Sequence, residues 1–312
     1  QVKTLLIISQ VYVPDPASVG QHMHDTATTM AKRGWHVVVY ASARGYEDPG
    51  ARYPARETLD GVEIRRLPLS SFGKASIARR LLGGFIFVFQ VMLRTLFRSK
   101  SDAVLVSTSP PMAMLAGVWM KMARRCPVLF WAMDINPDQM IALGNIGENS
   151  LAARVFNWMD RAILKRADAV VALDPYMAKS LERKQPVGER MHIMPPWPSI
   201  DNVIDKPHAE NSFRTEHGLD DKFVIMYSGN ISPSHPIDTI LEAARQLQNE
   251  PHLVFMFIGG GLAREQIETF VNEHGLTNVK TLPYQPLDML PFSLSAADVH
   301  LVSMGSEMVG IV

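Results

Sequence analysis

The chain has 312 residues, 31 basic and 31 acidic side chains and 47% hydrophobic residues. This is an ordinary globular composition at a length that suits about two domains, and it excludes a disordered or fibrous chain. Zero formal charge argues against a general nucleic-acid binder. The single cysteine, Cys126, excludes an intrachain disulfide framework and a Cys-rich metal site, which favours a reducing compartment such as the cytoplasm.

The apolar run Thr4–Ser9 has one lysine before it and no small-residue cleavage site, so it reads as a first buried strand rather than a signal peptide. Further strands are expected at His36–Ala41, Val62–Pro68, Ala103–Ser107, Val128–Ala132, Ala169–Leu173 and Met191–Met194. Helical patterns lie between them near Gln21–Arg33, Ala78–Phe97, Met112–Arg124, Ser150–Arg166 and Pro175–Lys184. Continuous apolar strands alternating with helices mark a parallel sheet covered on both faces.

The proline-rich stretch Pro195–Val203 breaks that rhythm and sets the boundary between domains 1–198 and 199–312. A second series follows. Its strands are expected at Phe223–Ser228, Leu253–Ile258, Val279–Leu282 and Asp298–Ser303, and its helices at Ile237–Asn249, Leu262–His274 and Leu287–Ala296. The expected fold is α/β, with two Rossmann-like doubly wound domains facing each other across a cleft. The second domain reads as incomplete, because the chain stops in an apolar stretch without a closing helix. Ligands of open parallel sheets bind beyond the carboxyl ends of the strands, so the informative residues follow each strand.

Two such segments stand out. In Tyr227-Ser-Gly-Asn-Ile-Ser-Pro-Ser-His-Pro-Ile-Asp238, a glycine after a strand permits close approach of backbone to a ligand, and a helix start offers free N–H groups to an anion. In Gly259-Gly-Gly261, glycines between a strand and a helix suit a phosphate or ribose. Either could also be an ordinary strand–helix turn. Neither is the dinucleotide fingerprint, since Arg264 takes its last glycine position, and the turn after the first strand lacks it too. A hydride-transferring dehydrogenase is therefore disfavoured.

The order of the landmarks is more specific than any one of them. They are Pro14-Asp-Pro-Ala-Ser-Val-Gly20, Ser107-Thr-Ser-Pro-Pro111, Trp131-Ala-Met-Asp-Ile-Asn-Pro-Asp138, Tyr227-Ser-Gly-Asn230 with His235-Pro-Ile-Asp-Thr239, Gly259-Gly-Gly261, Pro283-Tyr-Gln-Pro286 and Ala296-Ala-Asp-Val-His-Leu301. The series resembles family 4 glycosyltransferases of the GT-B architecture, in particular bacterial enzymes of exopolysaccharide and lipid-linked glycan assembly.

That resemblance implies a retaining transfer of a sugar from a nucleotide-sugar, UDP- ahead of GDP-, to a membrane-lipid-linked glycan. It implies Gly20, Ser228, Gly229, Asn230, Gly259, Gly260, Gly261, Tyr284, Gln285, Met308, Gly310 and Ile311 on the donor side, and Gln21, Ser109 and Asp138 on the acceptor side. The implied catalytic set is Glu307, Asp134 and His235. Glu307 stands as the first glutamate of an E-x7-E motif whose second would fall beyond Val312. Asp134 would orient the acceptor hydroxyl or, alternatively, cap the following helix. Where many members carry Arg and Lys against the diphosphate, this chain has Asn230 and His235, and the His expected after the fourth strand is replaced by Ser107-Thr-Ser109. No Asp-x-Asp occurs, so no metal and no cofactor beyond the nucleotide-sugar is expected. His22 and His24, spaced i, i+2, do not share a helix face as a metal pair would. A nucleotide-sugar epimerase and a non-catalytic nucleotide-binding protein are the alternatives.

From Ile64 to Ser101 there is no Asp or Glu, but there are eight bases: Arg65, Arg66, Lys74, Arg79, Arg80, Arg94, Arg98 and Lys100. They bracket the apolar Leu81–Leu93, too short to span a bilayer, which takes about 20 residues. Such a segment suits a protein resting peripherally on the inner face of the cytoplasmic membrane, or a helix covering the sheet with basic ends.

Overall fold

A computed structural model describes residues 2–15, 17–45, 48, 50–70, 77–97, 101–198, 205–232, 234–261 and 263–311. Lys74, Arg98 and Lys100 of the basic segment lie outside the described residues. The chain divides into two units, Gln1–Ser199 with Val309–Val312, and Ile200–Met308.

The first unit is built on β1 (Thr4–Ile8), β2 (His36–Ser42), β3 (Arg56–Leu59), β4 (Val62–Leu67), β5 (Ala103–Ser107), β6 (Val128–Trp131), β7 (Ala169–Ala172) and β8 (Met191–Ile193). They form one sheet in the order β3-β4-β2-β1-β5-β6-β7-β8, in which every pairing but β3–β4 is parallel. The runs of Val, Ile and Leu in β1, β2 and β5 are buried on both faces, which is why they are continuous rather than alternating.

Its helices are α1 (Ser18–Lys32), α2 (Ile77–Leu96), α3 (Met114–Arg124), α4 (Asp138–Ala142), α5 (Leu151–Arg166) and α6 (Pro175–Lys184). Met23 and Ala27 of α1 pack with Ile7, Val37 and Val39 on one face. On the other, α2, α3, α5 and α6 bury Phe87, Met120, Ile163 and Leu181 against Leu6, Val38, Val104 and Val128. Ser150 caps α5 through the Ala153 amide, and Asp174 caps α6 through that of Met177, with Pro175 following.

The antiparallel edge strand β3 departs from the all-parallel expectation. Asp60 and Gly61 both have positive φ (50° and 79°), the two-residue turn that matches the twist of a β-hairpin. Arg56-Glu57-Thr58 is polar because this edge faces water, so the strand gives no apolar signal.

The second unit has α7 (Ser212–Glu216), β9 (Phe223–Asn230), α8 (Asp238–Gln246), β10 (Leu253–Gly260), α9 (Arg264–His274), β11 (Val279–Leu282), α10 (Leu290–Leu294) and β12 (Val299–His300). The sheet is parallel throughout, in the order β11-β10-β9-β12. The buried Arg214 of α7 holds it together at the base, donating to the carbonyls of Leu219, Lys222 and Ala296 and lying 3.5 Å from Asp298. Strand β12 is shorter than the predicted Asp298–Ser303. Strands β9 and β10 run two residues further than predicted, since Gly229 and Asn230 pair in register with Gly259 and Gly260.

Val309–Val312 belongs with the first unit, where the Ile311 carbonyl accepts from the Ile135 amide at 2.8 Å. Among the described residues, no helix is long and apolar enough to cross a membrane.

Candidate active site

In the second unit the turns after β9 and β10 interlock. The Ile231 amide donates to Gly260 (2.7 Å) and the Ala263 amide to Ile231 (3.0 Å). Gly259, at φ +138°, lies so close to Gly229 that an added Cβ would stand 2.0 Å from its carbonyl oxygen. Gly261, at φ +129°, is held the same way against Ile231, with the Asn230 side chain beside it. These contacts are backbone on backbone and admit no side chain.

Tyr284, 60% exposed, lays the edge of its ring over Gly260, while Gln285 Nε2 donates to the Pro283 carbonyl, two residues back, at 2.9 Å. Ser228 and Asn230 are exposed at the strand end. Arg264, the first residue of α9, donates from Nη1 to the Gly259 carbonyl at 2.9 Å and from Nε to Glu268. It brings a guanidinium to the glycine turn. Sequence reading used Arg264 only to reject the dinucleotide fingerprint; its place in the first turn after the glycines was the available signal.

The loops after β9 and β12 are joined by two hydrogen bonds. The Gly305 amide donates to Ser234 (3.1 Å), and His235 Nδ1 lies 2.7 Å from the Ser303 carbonyl. A carbonyl oxygen only accepts, so Nδ1 carries the proton and Nε2 is the nitrogen left for a ligand. His235 does not cap α8, whose cap position is Ile237. Asp238 occupies the first turn of α8 and opposes an anion there, although its carboxylate accepts from Gln266 at 2.8 Å. Glu307 is exposed on a single turn, Ser306–Met308, its carboxylate folded back over Gly305.

Four of the expected donor-side residues, Met308, Gly310, Ile311 and Gly20, lie apart from the glycine turns. The Met308 amide is taken by the Gly305 carbonyl at 2.9 Å, and the Met308 side chain is buried. Gly310 and Ile311 sit in the first unit, Gly310 against the Tyr176 backbone and Ile311 bonded to Ile135. Gly20 lies not in a loop but in the first turn of α1, packed on the backbone of Tyr12. Gln21 follows it, half-buried.

In the first unit, Asp134 follows β6 and is half-buried. Burial pushes its carboxyl up to about 6, against the opposing pull of Arg80 on α2. It does not cap α4; its contact is Gln139 Nε2 at 3.5 Å. Asp138 pairs with Lys184, which also meets the buried Asp160 at 2.9 Å and Asn157 at 2.6 Å. The hydroxyls of Ser107, Thr108 and Ser109 bridge to Ser9, Met133 and Val11, stitching three strand ends together where a His was expected. His22 and His24 diverge, the former between Trp131 and Trp197, the latter bonded to Tyr12 and 3.2 Å from Asp60. No group of three or more His, Cys, Asp or Glu that could hold a metal occurs among the described residues.

Residues 18–197 match the glycosyl transferase 4-like domain and residues 209–312 the glycosyl transferases group 1 model. WcaI of Escherichia coli (strain K12), assigned as a colanic acid biosynthesis glycosyl transferase, is 27% identical over 96% of this chain and 76% of its own length. Among solved structures, sucrose-phosphate synthase from Thermosynechococcus elongatus superposes with a TM-score of 0.72 at 18% identity, over 96% of this chain and 75% of that one. Anabaena HepE in complex with UDP-glucose gives 0.66 at 15% identity, over 96% and 74%. With glycine turns closing the second sheet and both halves of the chain matched in order, the protein belongs to the glycosyl transferase 4-like family and is a GT-B glycosyltransferase.

Proposed function

We propose that this glycosyltransferase is a retaining, metal-independent enzyme that moves a sugar from a UDP-sugar, in preference to a GDP-sugar, to a membrane-lipid-linked glycan during polysaccharide biosynthesis. It does so at the inner face of the cytoplasmic membrane. The observation that carries the donor half is the second unit's strand-end cluster: the interlocked glycine turns, the Arg264 guanidinium, the exposed Tyr284 ring and His235 with Nε2 available. HepE, whose fold this chain shares, was solved with UDP-glucose, and WcaI is assigned to colanic acid biosynthesis, which supports a nucleotide-sugar donor and a glycan acceptor.

In this reading the diphosphate rests against the glycine turns, the base stacks on Tyr284, and His235 Nε2 and Arg264 meet the charge that develops on the departing pyrophosphate. The bond from the sugar's anomeric carbon to phosphate oxygen breaks, the acceptor oxygen bonds that carbon on the same face, and its proton passes to the leaving diphosphate. Glu307 lies beside the donor sugar and Asp134 orients the acceptor hydroxyl. A transfer assay with UDP- and GDP-sugars on a lipid-linked acceptor, with NMR of the product anomer, tests this. Turnover should continue in EDTA with retained configuration. Inversion, loss of activity on chelation, or conversion of the UDP-sugar without acceptor would overturn it.

A further inference from the structure

The outer face of the helical layer on the first unit has a character that no single stretch of sequence displays. On α2, Leu82, Phe85, Phe89, Leu93 and Leu96 are spaced by three and four residues, so they form one stripe, and all five are exposed, Phe89 by 65%. The opposite side of the helix buries Phe87, Val88 and Val91, so the stripe is surplus to the core. Helix α3 lies alongside, with Trp119 Nε1 donating to Thr95 of α2 at 3.1 Å. Beyond it comes α5, whose Ile163 packs on Gly117 of α3.

The outward side of α5 repeats the pattern, with Leu151, Val155 and Trp158 exposed, Trp158 by 62%, and interleaved with exposed Arg154, Arg161 and Lys165. Met122 of α3 is exposed between the two stripes. Across α2, α3 and α5 the only acid is Asp160, and it is buried beside Lys184. The bases include Arg79, Arg80 and Arg94 on α2 and Lys121 on α3, the latter neutralising Asp168.

We propose that the joined outer faces of α2, α3 and α5 form a docking surface for an anionic lipid bilayer, with Phe89 and Trp158 entering the interface and the surrounding bases meeting lipid phosphates. The proposal rests on the lipid-linked acceptor reading above and gives it a place on the molecule. A bilayer fits better than a protein partner because the exposed charges on the three helices are of one sign only, which a surface of anionic headgroups over hydrocarbon complements. Trp158, with an apolar body and a polar N–H, suits the headgroup level.

The test is co-sedimentation of the full chain with vesicles of phosphatidylcholine alone and of phosphatidylcholine mixed with phosphatidylglycerol, at low and high salt. Partitioning should require the anionic lipid, weaken with salt, and fall at least about tenfold in Phe89→Asp and in Trp158→Ser. Removing one base, in Arg154→Ala, should cost about fivefold. Transfer to a water-soluble acceptor should stay unchanged in these variants, which separates failure of docking from failure of the proposed chemistry. Absence of vesicle binding by the unaltered chain, equal binding by Phe89→Asp and Trp158→Ser, or salt-stable self-association through this face without lipid would overturn the proposal.

Discussion

Replacing Gly259 by Ala isolates what the strand-end turns contribute. Two terms act. The backbone at φ +138° is a conformation L-residues rarely hold, which costs about 1–3 kcal/mol. The new Cβ would also stand 2.0 Å from the Gly229 carbonyl oxygen and 3.0 Å from its carbon, so the end of β9 must move by roughly an ångström from van der Waals distances. That displacement loosens the Ile231–Gly260 hydrogen bond and the Ala263–Ile231 hydrogen bond, at about 1 kcal/mol each. Together these predict a loss of about 3–5 kcal/mol. Gly229→Ala is the internal control. Its φ is +151°, but nothing lies within 4 Å of the built Cβ, so only the strain term of about 1–3 kcal/mol applies. Urea unfolding followed by the second unit's signal, with UDP titration calorimetry on each variant, measures the difference. Gly259→Ala should be the less stable by about 2 kcal/mol and should bind UDP at least tenfold more weakly than Gly229→Ala. Equal stability and equal affinity in the two variants would refute the view that backbone contact, rather than strain alone, shapes the donor turn.

Two further predictions follow from buried carboxyls. With the Asp134 carboxyl raised to about 6 by burial, its ionised form is reached only above that pH, so kcat/KM should climb from pH 5 to 7 if it serves the acceptor hydroxyl. Asp134→Asn should lower the rate by at least about a hundredfold and abolish that limb, which pH–rate profiles will show. Asp160, raised by burial to about 7 despite Lys184, keeps its proton in the folded chain while the unfolded chain releases it. Between about pH 4 and 7 it therefore lowers stability as pH rises, by up to about 1.4 kcal/mol per pH unit, and the effect levels off above 7. Asp160→Asn should flatten that slope in urea melts recorded across this range.

The parallel core was legible because buried strands announce themselves: Thr4–Ile8, His36–Ser42 and Ala103–Ser107 are apolar on both faces and bounded by helical periodicity. What escaped was structure whose cause is not burial. Strand β3 is an exposed polar edge, although the Asp60-Gly61 dipeptide between Leu59 and Val62 carried the hairpin signal. The short helices α4 and α7 contain five residues each, too few for a periodic pattern, and owe their form to tertiary contacts such as Lys184 with Asp138. In the site, the sequence set Gly259–Gly261 between a strand and a helix, but an ordinary strand–helix turn would carry the same glycines. The partners of polar groups were not. The Met308 amide and the hydroxyls of Ser107–Ser109 are engaged by groups far away or just behind in the chain, and Arg264 gains meaning only from the carbonyl it reaches. The face proposed for docking was half visible: the Ile64–Ser101 window covered α2, while α5, fifty-odd residues later, joins it only through α3.

The replacement of Arg and Lys by Asn230 and His235 acquires a physical logic from the same loops. A lysine at 235 would carry a flexible charge free of the fold, whereas the His235 imidazole is fixed by the Ser303 carbonyl in the loop that leads to Glu307. Its orientation therefore depends on the loop after β12 as much as on the loop that bears it. Gly305, bonded to Ser234, closes the same pair of loops from the other side. These two hydrogen bonds tie the loop that bears His235 to the loop that leads to Glu307, so the group proposed to meet the leaving diphosphate and the turn proposed to lie by the sugar are carried on joined loops. Arg264, ion-paired with Glu268, is held by the Gly259 carbonyl on a strand end that admits no side chain. In the proposed reading, this end of the sheet uses groups held in place rather than mobile cations, favouring preorganisation where leaving-group charge would develop.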